Sequence, residues 1–373
     1  MWHPEHHIFS MGKEGLAAWC EQNSMPRFRA EQIASWIFEH GVDSPDDWTN
    51  LSKRDRDAAR ESLVVASGRV LSHQRATDGT QKLLVEWNDP ARPEGAGLPV
   101  LGQPDRVDRQ TECVMIPSLD PTSSRRTACI SSQVGCPVGC RFCASGLSGL
   151  DGNLSAGRIV EQVWQLDRLP GVGRVSNVVF MGMGEPLSNF DAVTRAIRTL
   201  AAPKPWGMGI GARKITISTV GLPKYIRRLA ESFELPVTLA LSLHAPTDDL
   251  RRQLIPWAEY TTIDELLGAC QAWFERTGRE ITLEYTLLGG TNDSPTQAGQ
   301  LADLAKSLRA NINLIRYNEV DGLPFKRPAD DDVRRFQDVL RAKNVNVHIR
   351  ASRGRDIAAA CGQLRHEHAG ECG

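Results

Sequence analysis

With 373 residues and a formal net charge of -1, the chain lacks the strongly basic balance of proteins that hold nucleic acid by bulk charge, which leaves any nucleic-acid contact to local patches. Its length suits one large α/β domain of roughly 200–250 residues plus a smaller appendage. Residues Met1 to His7 lack the basic start and apolar run of a secretory signal, and no segment approaches the ~18 apolar residues of a membrane span; a cytoplasmic protein without membrane contact is expected.

In chain order, residues 1–75 read as a helical accessory region. Apolar and aromatic residues recur at helical spacing in Gln32 to Phe38, and Ser52 is placed to cap a charged helix that follows it. Trp36, Phe38 and Trp48 are expected in the core. Residues 76–127 read as short strands and loop: Lys82 to Trp87 is a strand candidate, and the Pro/Gly-rich stretch from Asp89 to Pro104 reads as an exposed loop.

From Ala128 to about 353, apolar strand candidates alternate with amphipathic helical patterns. The strands are Ala128 to Val134, Val175 to Met181, Lys214 to Thr219, Val237 to Leu243, Ile281 to Leu287, Ile312 to Tyr317 and Val345 to Ile349. Alternation of this kind implies parallel strands with right-handed crossovers, here a partial (β/α)6-type barrel rather than a closed eightfold one. Residues 354–373 read as a loop followed by a polar tail.

Three of the nine cysteines form a Cys-x3-Cys-x2-Cys motif, Cys136, Cys140 and Cys143, just after the first barrel strand. Iron-sulfur clusters take four ligands as a rule, so three close thiolates suggest a 4Fe-4S cluster with one iron open. A zinc site would want a fourth close Cys or His, and the nearest downstream histidine is His244. Three unligated core cysteines are the other alternative. At this motif the chain resembles radical S-adenosylmethionine enzymes, whose open iron binds the cofactor and cleaves it to a 5'-deoxyadenosyl radical. Met181-Gly182-Met183-Gly184-Glu185-Pro186, following a strand candidate, resembles their Gly-Gly-Glu-Pro cofactor motif.

Four further segments resemble the RNA adenine methyltransferases of the RlmN family: Ala128 to Cys136, Ser218 to Gly221, Leu241 to Ala245, and Asp356 to Leu364 with its Cys361-Gly362-Gln363-Leu364 element. The resemblance implies the partial barrel, an N-terminal helical region that helps bind RNA, and 23S ribosomal RNA and transfer RNA as substrates. It also implies two molecules of S-adenosylmethionine per turnover. The first methylates Cys361; the second yields the radical that activates the S-methyl group for addition to C2 of adenine, a carbon with no acidic proton. Cys129 is implied to resolve the adduct through a disulfide with Cys361, which an external reductant reopens. Glu112 matches the family acid and is expected to accept the ring proton; read alone it is equally a carboxylate on a strand. Cofactor contacts are implied at Gly184, Glu185, Ser218, Ser242, Leu243, His244 and Asn318, all near strand ends. Without the resemblance, Cys129 and Cys361 read as small buried hydrophobes, the reading that Cys20, Cys113 and Cys270 retain; Cys372 reads as a tail thiol.

An electron donor such as flavodoxin or ferredoxin is implied, and a monomer is expected. Arg125-Arg126, Lys224 with Arg227-Arg228, and Arg251-Arg252 are candidate phosphate contacts. Gly152, Arg158 and Arg316 depart from the residues usual in the family, and the segment from Asp89 to Asp108 is longer than typical. Two other readings stay open. One is the related class that methylates C8 of adenine with the same two cysteines; the other is a non-catalytic RNA-binding protein with a structural iron-sulfur cluster.

Overall fold

A computed structural model of the chain describes residue 1 and residues 3–87, 109–120, 122–147 and 149–364. The expected loop at 89–104, the tail beyond 364 and Cys372 lie outside the described residues. The chain opens with helices α1 (Ile8–Gln22), α2 (Arg29–Phe38) and α3 (Lys53–Ser62). Ser52 caps α3 as its position predicts, its hydroxyl accepting from Asp55 N–H at 3.2 Å. Phe38 and Trp48 are buried. Trp36 is only half-buried, because it sits on the flank of α2, where its ring N–H donates to Asn50 at 2.7 Å.

Residues 68–75, read as the end of the helical region, instead form strand β1 (Gly68–Arg75), which pairs antiparallel with β2 (Gln81–Trp87). The edge position of β1 explains the misreading: its side chains are mostly exposed, so it carries no run of apolar residues. Strand β3 (Arg109–Pro117) joins β2 to β4 (Arg126–Cys129), again antiparallel. A small hairpin, β5 (Gln133–Gly135) with β6 (Leu150–Asn153), carries the cysteine motif in its loop together with the short helix α4 (Ala144–Leu147).

The parallel array follows. It runs α5 (Ala156–Asp167), β7 (Asn177–Phe180), α6 (Phe190–Ala201), β8 (Ile215–Thr219), α7 (Pro223–Ser232) and β9 (Thr238–Ser242). It continues through α8 (Asp248–Leu254), α9 (Ile263–Thr277), β10 (Thr282–Leu287), α10 (Pro295–Ser307), β11 (Asn311–Arg316), α11 (Asp330–Ala342) and β12 (Val347–Arg350). Strands β4, β7, β8, β9, β10, β11 and β12 are neighbours in that order and all parallel. The expected mixed α/β fold with a partial barrel is therefore what forms; the antiparallel β1 to β3 extend one edge.

Alternation along these strands separates two faces. Outward residues such as Val178, Ile215, Ile217, Leu239, Leu241, Leu283 and Leu314 are buried under the helices. Inward residues are largely polar: Thr127, Asn177, Thr216, Ser218, Thr238, Ser242, Thr282, Glu284 and Asn313. A closed barrel fills its interior with branched aliphatics. This one keeps its interior polar and, as described below, hollow.

The N-terminal helices are tied to the barrel through one buried carboxylate. Glu161 on α5 is fully enclosed, pairs with His7 Nε2 at 3.0 Å and accepts from the backbone N–H groups of Ser67 and Gly68 and the hydroxyl of Ser67 at 2.8 to 3.1 Å. Phe9 packs its ring against Phe38 and Trp164 beside this knot. Removing the carboxylate strands several buried donors at once. Glu161→Ala is expected to lower unfolding stability by about 3 kcal/mol, measured by denaturant titration; a loss comparable to an exposed substitution would refute the anchoring role.

Candidate active site

At Gly135, which ends β5, φ is +72° and a Cβ would lie 2.0 Å from the carbonyl oxygen of Gly149, so only glycine permits the turn that delivers Cys136. Backbone bonds fix the loop that follows: Cys136 N–H to Gly149 C=O (2.8 Å), Arg141 N–H to Leu254 C=O (3.0 Å) and Cys143 N–H to Cys140 C=O (3.1 Å). The three thiols are half-buried and outside any disulfide. Burial pushes Cys136 up to about 12 and lifts Cys140 and Cys143 as well, and the cysteines raise one another. N–H groups of Val138 and Gly184 donate toward Cys136, and those of Ser145 and Gly146 toward Cys143, opposing that rise. Three mutually repelling sulfurs supplied with backbone donors suit an iron-sulfur cluster. Among the described residues no three His, Cys, Asp or Glu side chains converge as one ion would require, whereas a cluster spreads its thiolates over separate irons.

The second motif meets the first. Gly184 has φ +101°, and a Cβ there would stand 2.6 Å from Gln133 Cβ. Glu185 is buried, its carboxylate accepting from Leu187 N–H at 2.9 Å and Val220 N–H at 2.8 Å, so it also joins the loops after β7 and β8. Burial raises its carboxyl to about 7. Ser218 and Ser242, at the ends of β8 and β9, place their hydroxyls 3.2 Å apart. Leu243 buries its side chain and offers only backbone, its N–H donating to Glu284 C=O at 3.1 Å.

His244 follows with φ +58°, an uncommon conformation for a residue with a side chain. Its Nδ1 accepts from Thr286 N–H at 3.0 Å, which leaves the proton on Nε2, and its ring meets the edge of Phe142 in the cysteine loop. Burial, and then the charge of Arg251, depress its pKa to about 3. Arg251 corrects an expectation. Rather than facing solvent as a phosphate contact, it is buried, donates to the carbonyls of Leu243 (3.3 Å) and Val220 (2.6 Å), and lies within electrostatic reach of Cys140. Its neighbour Arg252 is paired with Asp249.

The C-terminal loop closes over the cysteines. Gly362 C=O accepts from Ala144 N–H at 2.8 Å, Leu364 C=O accepts from Ser145 Oγ at 2.6 Å, and Asn318 Nδ2 donates to Cys361 C=O at 3.3 Å. Cys361 thereby comes within electrostatic reach of Cys143 on one side and Cys129 on the other. Cys129, Cys361 and Asn318 line one cavity of roughly 620 Å³ inside the barrel. Cys129 is buried at the end of β4, and burial pushes its thiol up to about 12, with the charge of Arg350 opposing. Glu112, on β3, is buried and ion-paired with Lys82 Nζ at 2.6 Å; it does not line this cavity.

Two groups in the cavity wall escaped the sequence reading. Arg350, at the end of β12, donates to Met181 Sδ at 3.1 Å; burial opposes its charge, but Cys361, Glu284 and Cys129 more than offset that. Glu284, buried on β10, accepts from Asn313 at 3.0 Å on one oxygen, while the other has no hydrogen-bond partner; burial raises its pKa. The available signals were positional: Arg350 directly follows a strand candidate, and Glu284 is a charge at an inward position of an apolar strand.

Alanine at Cys136, Cys140 or Cys143 is expected to abolish the brown absorbance of reconstituted protein while far-ultraviolet circular dichroism keeps its shape; a variant that retains the chromophore would refute that residue as a ligand. His244 makes a separate prediction. Because the folded ring resists protonation until about pH 3 while the unfolded ring titrates near 6.5, its contribution to stability is complete above pH 6.5 and lost as pH falls toward 3. His244→Gln should flatten that acid limb in denaturant titrations of the apoprotein at stepped pH, and an unchanged limb would contradict the assignment.

Known proteins resemble this chain in sequence and in fold. Residues 130–299 match the Radical SAM superfamily, and residues 7–65 match the ribosomal RNA large subunit methyltransferase N-terminal domain. A Gloeobacter violaceus protein with the name "Probable dual-specificity RNA methyltransferase RlmN" is 41% identical over 359 residues, covering 96% of this chain and 94% of the relative. A Salinibacter ruber protein of the same name is 40% identical over 365 residues, covering 96% and 93%. A crystal structure of a radical SAM methyltransferase from Sphaerobacter thermophilus superposes with a TM-score of 0.87 at 39% identity, covering 96% of this chain and 99% of that one. Members of the superfamily use a 4Fe-4S cluster with S-adenosylmethionine, and the donor set here fits that pair. The chain belongs to the RlmN family of radical S-adenosylmethionine RNA methyltransferases.

Proposed function

We propose that the protein methylates C2 of an adenosine in 23S ribosomal RNA and in transfer RNA, carrying the methyl group on Cys361 and releasing the product through Cys129. The observation that carries this reading is the pairing of two thiols, distant in sequence, on the wall of one cavity beside the cysteine motif. A one-step methyl transfer needs no thiol, and a methyl carrier without a resolving partner would stay joined to its product.

Burial supports this division of roles. Cys361 is half-buried and suited to meet a methyl donor, whereas Cys129 is buried with its thiol held protonated, a poor first nucleophile but one that can attack once chemistry is under way. Cys129 would give up its proton and bond its sulfur to that of Cys361, breaking the sulfur–carbon bond to the methylene; the bond's electron pair and a proton would go to that carbon, releasing the methylated base and leaving a disulfide for an external reductant. Arg350 would stabilise each thiolate as it forms. Glu112, kept in ion pairing by Lys82, would accept the ring proton on approach of the RNA. Cys136, Cys140 and Cys143 would hold the cluster, which with S-adenosylmethionine supplies one-electron cleavage and hydrogen-atom abstraction. Gly184, Glu185, Ser218, Ser242, Leu243, His244 and Asn318 would position that cofactor.

In this reading residues 1–75 are an accessory region that contacts RNA and 76–127 lead into the barrel. Residues 128–353 are the barrel, and 354–373 hold the catalytic loop and tail. A flavodoxin- or ferredoxin-type donor would supply electrons to a monomer in the cytoplasm. Among the described residues no helix is long and apolar enough to cross a membrane.

Mass spectrometry of nucleosides from RNA treated with the reduced holoenzyme should reveal 2-methyladenosine; 8-methyladenosine would move the reading to the C8 class. Cys129→Ala should accumulate protein joined to RNA, seen as a nuclease-sensitive band on denaturing gels, while Cys361→Ala should give neither product nor adduct. An adduct in Cys361→Ala would sink the assignment of the carrier.

A further inference from the structure

The cavity that holds Cys129 and Cys361 does not end with them. Its wall also includes Thr127, Asn177, Thr216, Thr238 and Thr282, which lie toward the N-terminal ends of their strands, and it reaches the exposed Leu119, Arg125, Arg213 and Lys214. The hollow therefore traverses the barrel, with the thiols at one end and a rim of exposed cations at the other.

That rim is unneutralised. Arg125, Arg213, Lys214 and the adjacent Arg279 have no ion-paired carboxylate among the described residues, whereas Arg198, Arg228, Arg252 and Arg335 each hold one; other exposed arginines, such as Arg195 and Arg276, are also unpaired, and what sets the rim apart is that its cations gather at the mouth of the cavity. Arg279 donates to Thr238 Oγ1 at 3.0 Å, and its Nε is buried without a partner. Burial and then the like charge of Arg213 hold Arg279 below its usual range, as expected of cations gathered without their counterion. Among the described residues two exposed acids stand near the rim, each engaged elsewhere: Asp120 is occupied by Thr122, and Glu280, next to Arg279, accepts from Asn311 at 3.2 Å. Arg353, also in the wall, is paired with Asp78 at 2.8 Å. In a chain of net charge -1, such a cluster is a local anion site rather than a bulk effect.

We infer that RNA docks on this N-terminal rim, where Arg125, Arg213, Lys214 and Arg279 hold backbone phosphates while one unstacked base enters the polar hollow toward Cys361. The inference rests on the RNA-modifying reading above and selects among the sequence candidates. Arg125 is kept, Arg213, Lys214 and Arg279 are added, Arg251 is buried, and Arg228 and Arg252 already face carboxylates. The interior suits the occupant, since hydroxyl and amide side chains can hydrogen-bond the edge of a base that has left its stack.

The test is binding of a fluorescently labelled transfer RNA transcript by full-length holoenzyme, measured by anisotropy between about 50 and 200 mM salt. Arg213→Gln combined with Lys214→Gln should weaken binding and reduce the slope of log affinity against log salt by about two, roughly one per lost phosphate contact. Arg213→Lys with intact Lys214 should retain the wild-type slope. Lys224→Gln with Arg227→Gln, away from the rim, should bind as wild type does. Wild-type affinity and slope in the rim variant, or an equal loss in the distant pair, overturns the docking site. In that event, nucleoside analysis of RNA treated with the wild-type enzyme separates the two ideas: methylated adenosine leaves the proposed function standing without this rim. Failure of the wild-type protein to bind the RNA overturns both.

Discussion

The active site depends on a backbone contact between segments far apart in sequence. Ala144 N–H, one residue past Cys143, donates to Gly362 C=O, one residue past Cys361, and Ser145 Oγ repeats the tie to Leu364 across 219 residues. Each bond on its own contributes about 1 kcal/mol. Their value is geometric, because they hold the loop bearing Cys361 against the loop bearing the cysteine motif and leave Cys129 on the facing strand. Without them, Cys129, Cys361 and the cysteine motif would belong to three independent elements. Asn318 strengthens the same arrangement, its amide spanning from Cys361 C=O to Arg327.

A hollow barrel carries a cost that explains the rest of the architecture. Inward Thr, Ser, Asn and Glu side chains forgo the apolar packing that stabilises a closed barrel, so stability must come from the outer face. There the strands present branched aliphatics to helices whose ends are firmly stopped. α9 begins with the reciprocal Thr262–Glu265 cap, and α10 begins with the equivalent Ser294–Gln297 pair. The N-terminal helices add a further apolar layer against α5, and Glu161 fixes their seat by gathering otherwise orphaned donors of the chain at Ser67 and Gly68.

Charge is distributed to match. Buried Arg251 and half-buried Arg350 stand beside sulfur, Arg251 near Cys140 and Arg350 near Cys129 and Cys361, where a cation offsets the cost of forming thiolates in a low-dielectric interior. Glu284 balances Arg350 from β10, with β11 between them. Arg251 and Arg350 thus lie beside sulfur while the rim cations face solvent, a division that paired arginines in the sequence, such as Arg251-Arg252, conceal.

The sequence by itself determined the family motifs and the alternating plan. Six strand candidates correspond to β7 through β12 within two residues, because each pairs apolar period-two patterning with a flanking helix; the seventh, Ala128 to Val134, spans the end of β4 and the start of β5, since its apolar run hides the turn between them. The cysteine spacing, the Gly184-Glu185 turn and the Cys361 element are local, and local patterns survive in a linear text. Tertiary structure alone decided which face of each element those residues meet. It turned Gly68–Arg75 into an edge strand, since edge strands need no apolar signature; it buried Arg251, since burial depends on what α8 packs against; and it brought Arg350, Glu284 and Lys82 to the cavity and to Glu112. Those contacts arise from strand order and register, which set proximity across the sheet and leave no trace in the spacing of residues along one chain.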